Sequence, residues 1–165
     1  MKVEIGKSVV VPGWGVGTVR AIETIDLGVG DQEMYRIELD SDEKKVNWVP
    51  LDQMQAQCVR LVMEPKQVKD TLDAIANGTA PEKRATWNRR QRRYNELVAE
   101  NTPKSLGALM GELAAVRRKK ALSFTERRMF DRVRSQLSAE MASALGVPLE
   151  KAEKQLDDAI GPRAT

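Results

Sequence analysis

The hydrophobic pattern of this chain changes period once, near residue 64, and that change limits the folds open to it. Before it, short runs rich in β-branched residues alternate with glycine-containing turns. Residues 8–11, 17–22, 34–39 and 45–49 each read as a strand, and 59–63 as a fifth. Pro12-Gly13-Trp14-Gly15, Gly28-Val29-Gly30-Asp31 and Asp40-Ser41-Asp42-Glu43 supply the turns. After residue 64, apolar residues recur every three or four positions, which is the helical period. Five helices are expected, at 65–76, 81–100, 103–120, 123–145 and 148–160. The second has Trp87, Tyr94, Leu97 and Val98 as its apolar positions. The third carries Leu106, Leu109, Met110, Leu113 and Val116 on one face and ends in Arg117-Arg118-Lys119-Lys120, cations that suit the negative end of a helix dipole. The fourth opens on Ser123 with Glu126 three places on, a reciprocal capping pair.

The predicted fold is α+β in two modules. A small antiparallel barrel of SH3 or Tudor type covers 1–64, and a compact bundle of about five helices covers 65–165. Charge divides at the same place. Residues 1–64 hold seven Lys/Arg against eleven Asp/Glu, and residues 65–165 hold twenty against thirteen. An acidic module followed by a basic one points to two different partners.

Composition excludes much chemistry. The 165 residues include no histidine and one cysteine, Cys58. Histidine general bases, Ser-His-Asp arrangements and His-ligated metals are therefore ruled out, as is an internal disulfide. Cys58 is expected to fill a small space in the core. Gly13-Trp14-Gly15-Val16-Gly17 lacks the Lys-Ser/Thr of a phosphate loop, and Gly28-Val29-Gly30 is too short for a dinucleotide fingerprint. Both read as turn glycines. No cofactor, metal or catalytic constellation is expected, so the chain reads as a non-enzyme. It has no apolar run long enough for a membrane helix and no signal-peptide pattern, so a reduced, cytoplasmic monomer is expected.

The densest feature is Lys83-Arg84-Ala85-Thr86-Trp87-Asn88-Arg89-Arg90-Gln91-Arg92-Arg93-Tyr94, with six cations in twelve residues and a tryptophan among them. Helical spacing places Arg89 and Arg93 on one edge. Arg117 to Lys120, and Arg127-Arg128 with Arg132 and Arg134, are further basic runs that can extend one surface. The pattern leaves two readings open. Arginines can neutralise phosphates while the ring acts as a flat apolar wedge. Alternatively, the cations form a solvated helix face, and Trp87 shares a buried stripe with Tyr94.

These motifs resemble the CarD/CdnL family of bacterial transcription regulators. The N-terminal part is also similar to the polymerase-interacting domain of the transcription-repair coupling factor. The resemblance rests on Ile5-Gly6-x-x-Val9-Val10-x-Pro12-x-x-Gly15-Val16-Gly17, on Val19 and Ala21-Ile22-Glu23, and on Val49-Pro50 with Val59-Arg60 ten residues on. It continues with Trp87 followed by Arg89 and Arg90, and with Leu122-Ser123-x-x-Glu126-Arg127.

The resemblance implies a Tudor-like module that docks on the β subunit of RNA polymerase by pairing a strand edge. The implied docking residues are Tyr35, Ile37, Val46, Trp48, Val49 and Pro50. It also implies a helical module over promoter DNA, near the −10 element, that stabilises the open complex without reading sequence. Trp87 would be the wedge in the minor groove. Arg89, Arg90, Arg93, Arg127 and Arg128 would hold the DNA backbone. The chain departs from the family pattern at Val11, where an aromatic is common, and at Ile25 and Trp48, where some members carry arginine. A second reading is a CarD-type adaptor that binds polymerase or another protein and leaves DNA alone.

Overall fold

The computed structural model describes residues 2–81 and 86–164. The chain separates into two compact units, Met1–Val62 and Met63–Thr165. The first is a five-stranded antiparallel sheet and the second a set of five helices, so the α+β expectation holds.

The sheet consists of β1 (Ser8–Val11), β2 (Gly15–Asp26), β3 (Asp31–Leu39), β4 (Asp42–Pro50) and β5 (Arg60–Leu61), in the spatial order β4-β3-β2-β1-β5. The expected strands are present, with β2 much longer than its apolar core suggested. Val9, Val11, Val19, Tyr35, Ile37 and Val49 face inward with Val3, Met54 and Val59. The buried Tyr35 hydroxyl accepts a hydrogen bond from the Val3 amide at 2.9 Å, which satisfies it in the core. Gly17 is required where β2 crosses β3. A Cβ there would lie 2.6 Å from the Ile37 side chain and 2.7 Å from the Glu38 carbonyl oxygen.

Cys58 is exposed, in a left-handed conformation at φ 57°, and does not fill the core. The turn ahead of β5 sets this: the Cys58 amide donates to Gln55 O and the Val59 amide to Met54 O, so Met54 and Val59 turn inward instead.

The helices are α1 (Pro65–Ala76), α2 (Trp87–Glu100), α3 (Pro103–Lys119), α4 (Phe124–Leu145) and α5 (Leu149–Ile160). Their starts follow from local chemistry. Pro65 and Pro103 occupy first-turn positions, and Ser123 and Glu126 form the expected reciprocal cap on α4. The second helix begins at Trp87, capped by the Thr86 side chain, not near Pro81. Lys83, Arg84 and Ala85, which open the basic cluster, lie outside the described residues. Helix α3 is the centre of this unit, with Leu106, Leu109, Met110 and Leu113 fully buried. Small residues let α1 approach it: Thr71 sits over Gly107, and Gly78 packs on the backbone of Gly111. At the start of the unit, the buried Glu140 carboxylate accepts from the Met63 amide at 2.8 Å.

Candidate nucleic-acid interface

The Thr86 hydroxyl accepts from the Arg89 amide, which fixes the first turn of α2 and makes Trp87 its first residue. Trp87 and Tyr94 lie seven residues apart on nearly one helical line, but they do not share a buried stripe. Tyr94 is 1% exposed and Trp87 is 52% exposed. The hollow beside Trp87 is lined by α2 alone, through Asn88, Gln91, Arg92 and Asn95. Among the described residues no other helix lines the hollow beside the indole.

Gln91 and Asn95 also border a second groove, whose far wall is Phe124, Arg128, Met129 and Arg132 of α4. Phe124 is 73% exposed, and the Arg128 guanidinium stacks over it 5.7 Å from the ring centre. Two exposed aromatics, Trp87 and Phe124, thus flank a surface carrying Arg92, Arg128 and Arg132, while Arg89 points to another side of α2. Sequence reasoning passed over Phe124 and named Arg92 in the basic cluster without assigning it a contact. Phe124 follows a helix cap directly, where the first turn faces outward, and that position is its only signal.

The structure divides the expected arginines. Arg89 is exposed and makes no salt bridge among the described residues. Arg90 is half-buried, with its Nε lacking a partner among the described residues. Arg93 turns to α3, where its Nε donates to Glu112 Oε1 at 2.9 Å; this bond and the Glu112 charge raise its pKa. Burial, with Glu112 and Glu126 nearby, pushes the Tyr94 hydroxyl up to about 12, so it stays protonated. Arg127 and Arg128 do not form one contact. Consecutive helical residues point about 100° apart, and Arg127 lines a separate cleft with Arg117 and Arg163.

Three cations of the other basic runs, Arg117, Arg118 and Arg134, are half-buried and bonded within the helical unit. The Arg118 guanidinium donates to Ile160 O at 2.8 and 3.1 Å, and Arg117 donates to Gly161 O at 3.1 Å. Both serve the negative end of α5. Arg134 forms a two-pronged pair with Asp157, with both bonds at 2.7 Å.

In the sheet unit, Tyr35, Ile37 and Val49 are fully buried, and β3 lies between two strands. Their side chains belong to the core; Tyr35 and Ile37 lie on a strand paired on both sides and cannot offer the expected edge, whereas Val49 lies on the edge strand β4. Val46 and Trp48 are each 38% exposed, on the outer face of the edge strand β4, and Pro50 is half-buried at its end. Trp48 pairs with Arg36 across the sheet, and Arg36 bridges to Glu23 and Glu38.

Among the described residues no cluster of ligating side chains could hold a metal ion, and no helix is long and apolar enough to cross a membrane. A sheet unit with an open edge and a basic helical unit with an exposed tryptophan define a two-module protein with two outward-facing surfaces. The family model "CarD, C-terminal domain" matches residues 70–157, more than half of the chain. The chain belongs to the CarD family and is a CarD-type transcription factor. No curated protein matches it.

Proposed function

We propose that residues 1–64 dock on the β subunit of bacterial RNA polymerase and that residues 65–165 stabilise the open promoter complex by touching DNA near the −10 element. The observation that carries this reading is the exposure of Trp87 at the first turn of a basic helix, inside the segment that matches the family. Trp87 is a large indole with half of its surface in water. It suits insertion at an unstacked base step, where an apolar ring offsets a cost of about a few kcal/mol only in distorted DNA. A partner that favours one state shifts the equilibrium toward it, and about 1.4 kcal/mol changes the open-to-closed ratio tenfold.

The roles then divide by geometry. Trp87 is the wedge. Arg89 and Arg128, with Arg92 and Arg132, contact backbone phosphates and set register without reading bases. Arg90 and Arg93 brace α2 and add positive charge, and Arg127 contributes from the other side of α4. Docking uses the free edge of β4, with Val46, Trp48 and Pro50 at the contact. Tethering to polymerase raises the local concentration of DNA, so weak DNA affinity suffices.

The test is open-complex lifetime on a promoter with the cognate polymerase. The wild-type chain lengthens it, and Trp87→Ala removes the gain while polymerase binding is retained. If Trp87→Ala matches wild type, the chain is an adaptor and the wedge reading fails.

A further inference from the structure

On the side of α4 away from Arg128, three arginines from separate segments meet in one cleft. Arg117 comes from the last turn of α3, Arg127 from the first turns of α4, and Arg163 from the segment after α5. Among the described residues Asp131 is the one carboxylate lining it. The cleft is about 370 Å³, within the range of small-ligand sites of roughly 300–1,000 Å³.

Arg117 is held in a fixed pose. Its guanidinium lies over the Phe130 ring, 4.7 Å from the centre, and one Nη donates to Gly161 O. The segment carrying Arg163 is strapped down by the bond from the Ala164 amide to Arg117 O at 2.9 Å. With this support, the Arg117 Nε is buried and has no hydrogen-bond partner among the described residues. Burial lowers the Arg117 pKa, repulsion from Arg163 and Arg134 adds to this, and Asp157 and Asp131 oppose it. An underbonded cation among like charges gains from an anion that accepts several hydrogen bonds at once.

We propose that the cleft formed by Arg117, Arg127 and Arg163 binds a phosphate group. Among the described residues, three guanidiniums against one carboxylate suit a multiply charged tetrahedral oxyanion better than a planar carboxylate. The phosphate comes either from the DNA backbone or from a free polyphosphate or nucleotide. The proposal is independent of the wedge, because Arg127 and Arg128 face different grooves.

The test follows arginine Nε–H signals of the full ¹⁵N-labelled chain by NMR while inorganic pyrophosphate is added. Saturable shifts at Arg117, Arg127 and Arg163, with Arg89 and Arg92 unmoved, are the expected result. Arg163→Ala, an exposed position after the last helix, weakens binding about tenfold, the loss expected for one charge-assisted hydrogen bond. Arg127→Ala does the same and confirms that the effect is not local to that segment.

A short duplex separates the two sources. If it moves the same signals and pyrophosphate competes with it, the phosphate is that of DNA, and Arg163→Ala lowers the salt slope by about one. If pyrophosphate saturates the cleft and the duplex leaves Arg117 unmoved, the ligand is a free polyphosphate. Shifts spread equally over Arg89 and Arg92, or an Arg163→Ala variant with wild-type affinity, overturn the proposal. A failure of Trp87→Ala to shorten open-complex lifetime would leave all these results standing.

Discussion

The arginines of α2 and those at the end of α3 look alike in the sequence and differ in what they do. Arg89 and Arg92 are exposed on the first turns of α2, close in sequence to a half-exposed tryptophan. Arg117 and Arg118 reach across to the last carbonyls of α5 and close that helix. Whether a cation serves an outside partner or its own fold depends on what lies within its reach. For Arg118 that is the negative end of a neighbouring helix, and for Arg93 it is Glu112. The net charge of the helical unit therefore overstates the charge available to a nucleic acid.

This contrast can be broken most easily at Arg118. Arg118→Ala removes its bonds to Ile160 O and Ala159 O and leaves the α5 terminus short of donors. It should destabilise the chain by about 2 kcal/mol in denaturant unfolding and leave the salt dependence of DNA binding unchanged. A stability loss under about 0.5 kcal/mol, the usual range for a neutral surface substitution, would return Arg118 to the solvated class.

Arg134→Ala should cost less, about 0.5 kcal/mol, because its pair with Asp157 is partly solvated. Its pH dependence sharpens the point. The hydrogen bond from Arg134 is the main cause holding the Asp157 carboxyl below its ordinary value. The folded pKa is thus depressed, so the contribution is complete at neutral pH and is lost as pH falls below about 4 and through the depressed value. The stability gap between wild type and Arg134→Ala should be flat from pH 7 to 5 and close in acid. A gap that widens in acid would contradict the pairing.

Arg89→Ala and Arg92→Ala should have the smallest effect on stability, within about 0.5 kcal/mol. Each should lower the salt slope of binding to forked DNA by about one, as removal of a phosphate contact does. A stability loss near that of Arg118→Ala with no change in slope would erase the contrast.

Local chemistry made much of this fold legible. The alternation in Met34 to Leu39 and the glycines of the turns place β3 and its neighbours, and the Ser123–Glu126 pair marks the start of α4. What was not legible depends on neighbours far away in sequence. Helical spacing puts Trp87 in line with Tyr94, yet Tyr94 is buried and Trp87 half exposed, with no other helix lining the hollow beside Trp87 among the described residues. Tyr35 and Ile37 alternate with Arg36 and Glu38, so the pattern marks their face, but only the strand order shows that β3 is paired on both sides and offers no edge. Arg127 and Arg128 read as one contact until α4 is seen to separate two grooves.

The wedge and the docking surface act at different steps, and a titration of open-complex lifetime against protein concentration separates them. Trp48→Ala, on the exposed face of β4, should shift the curve to higher concentration and reach the wild-type plateau. Trp87→Ala should leave the midpoint near that of wild type and lower the plateau, because the variant still docks but no longer resists bubble collapse. A Trp87→Ala curve that reaches the wild-type plateau would contradict the account.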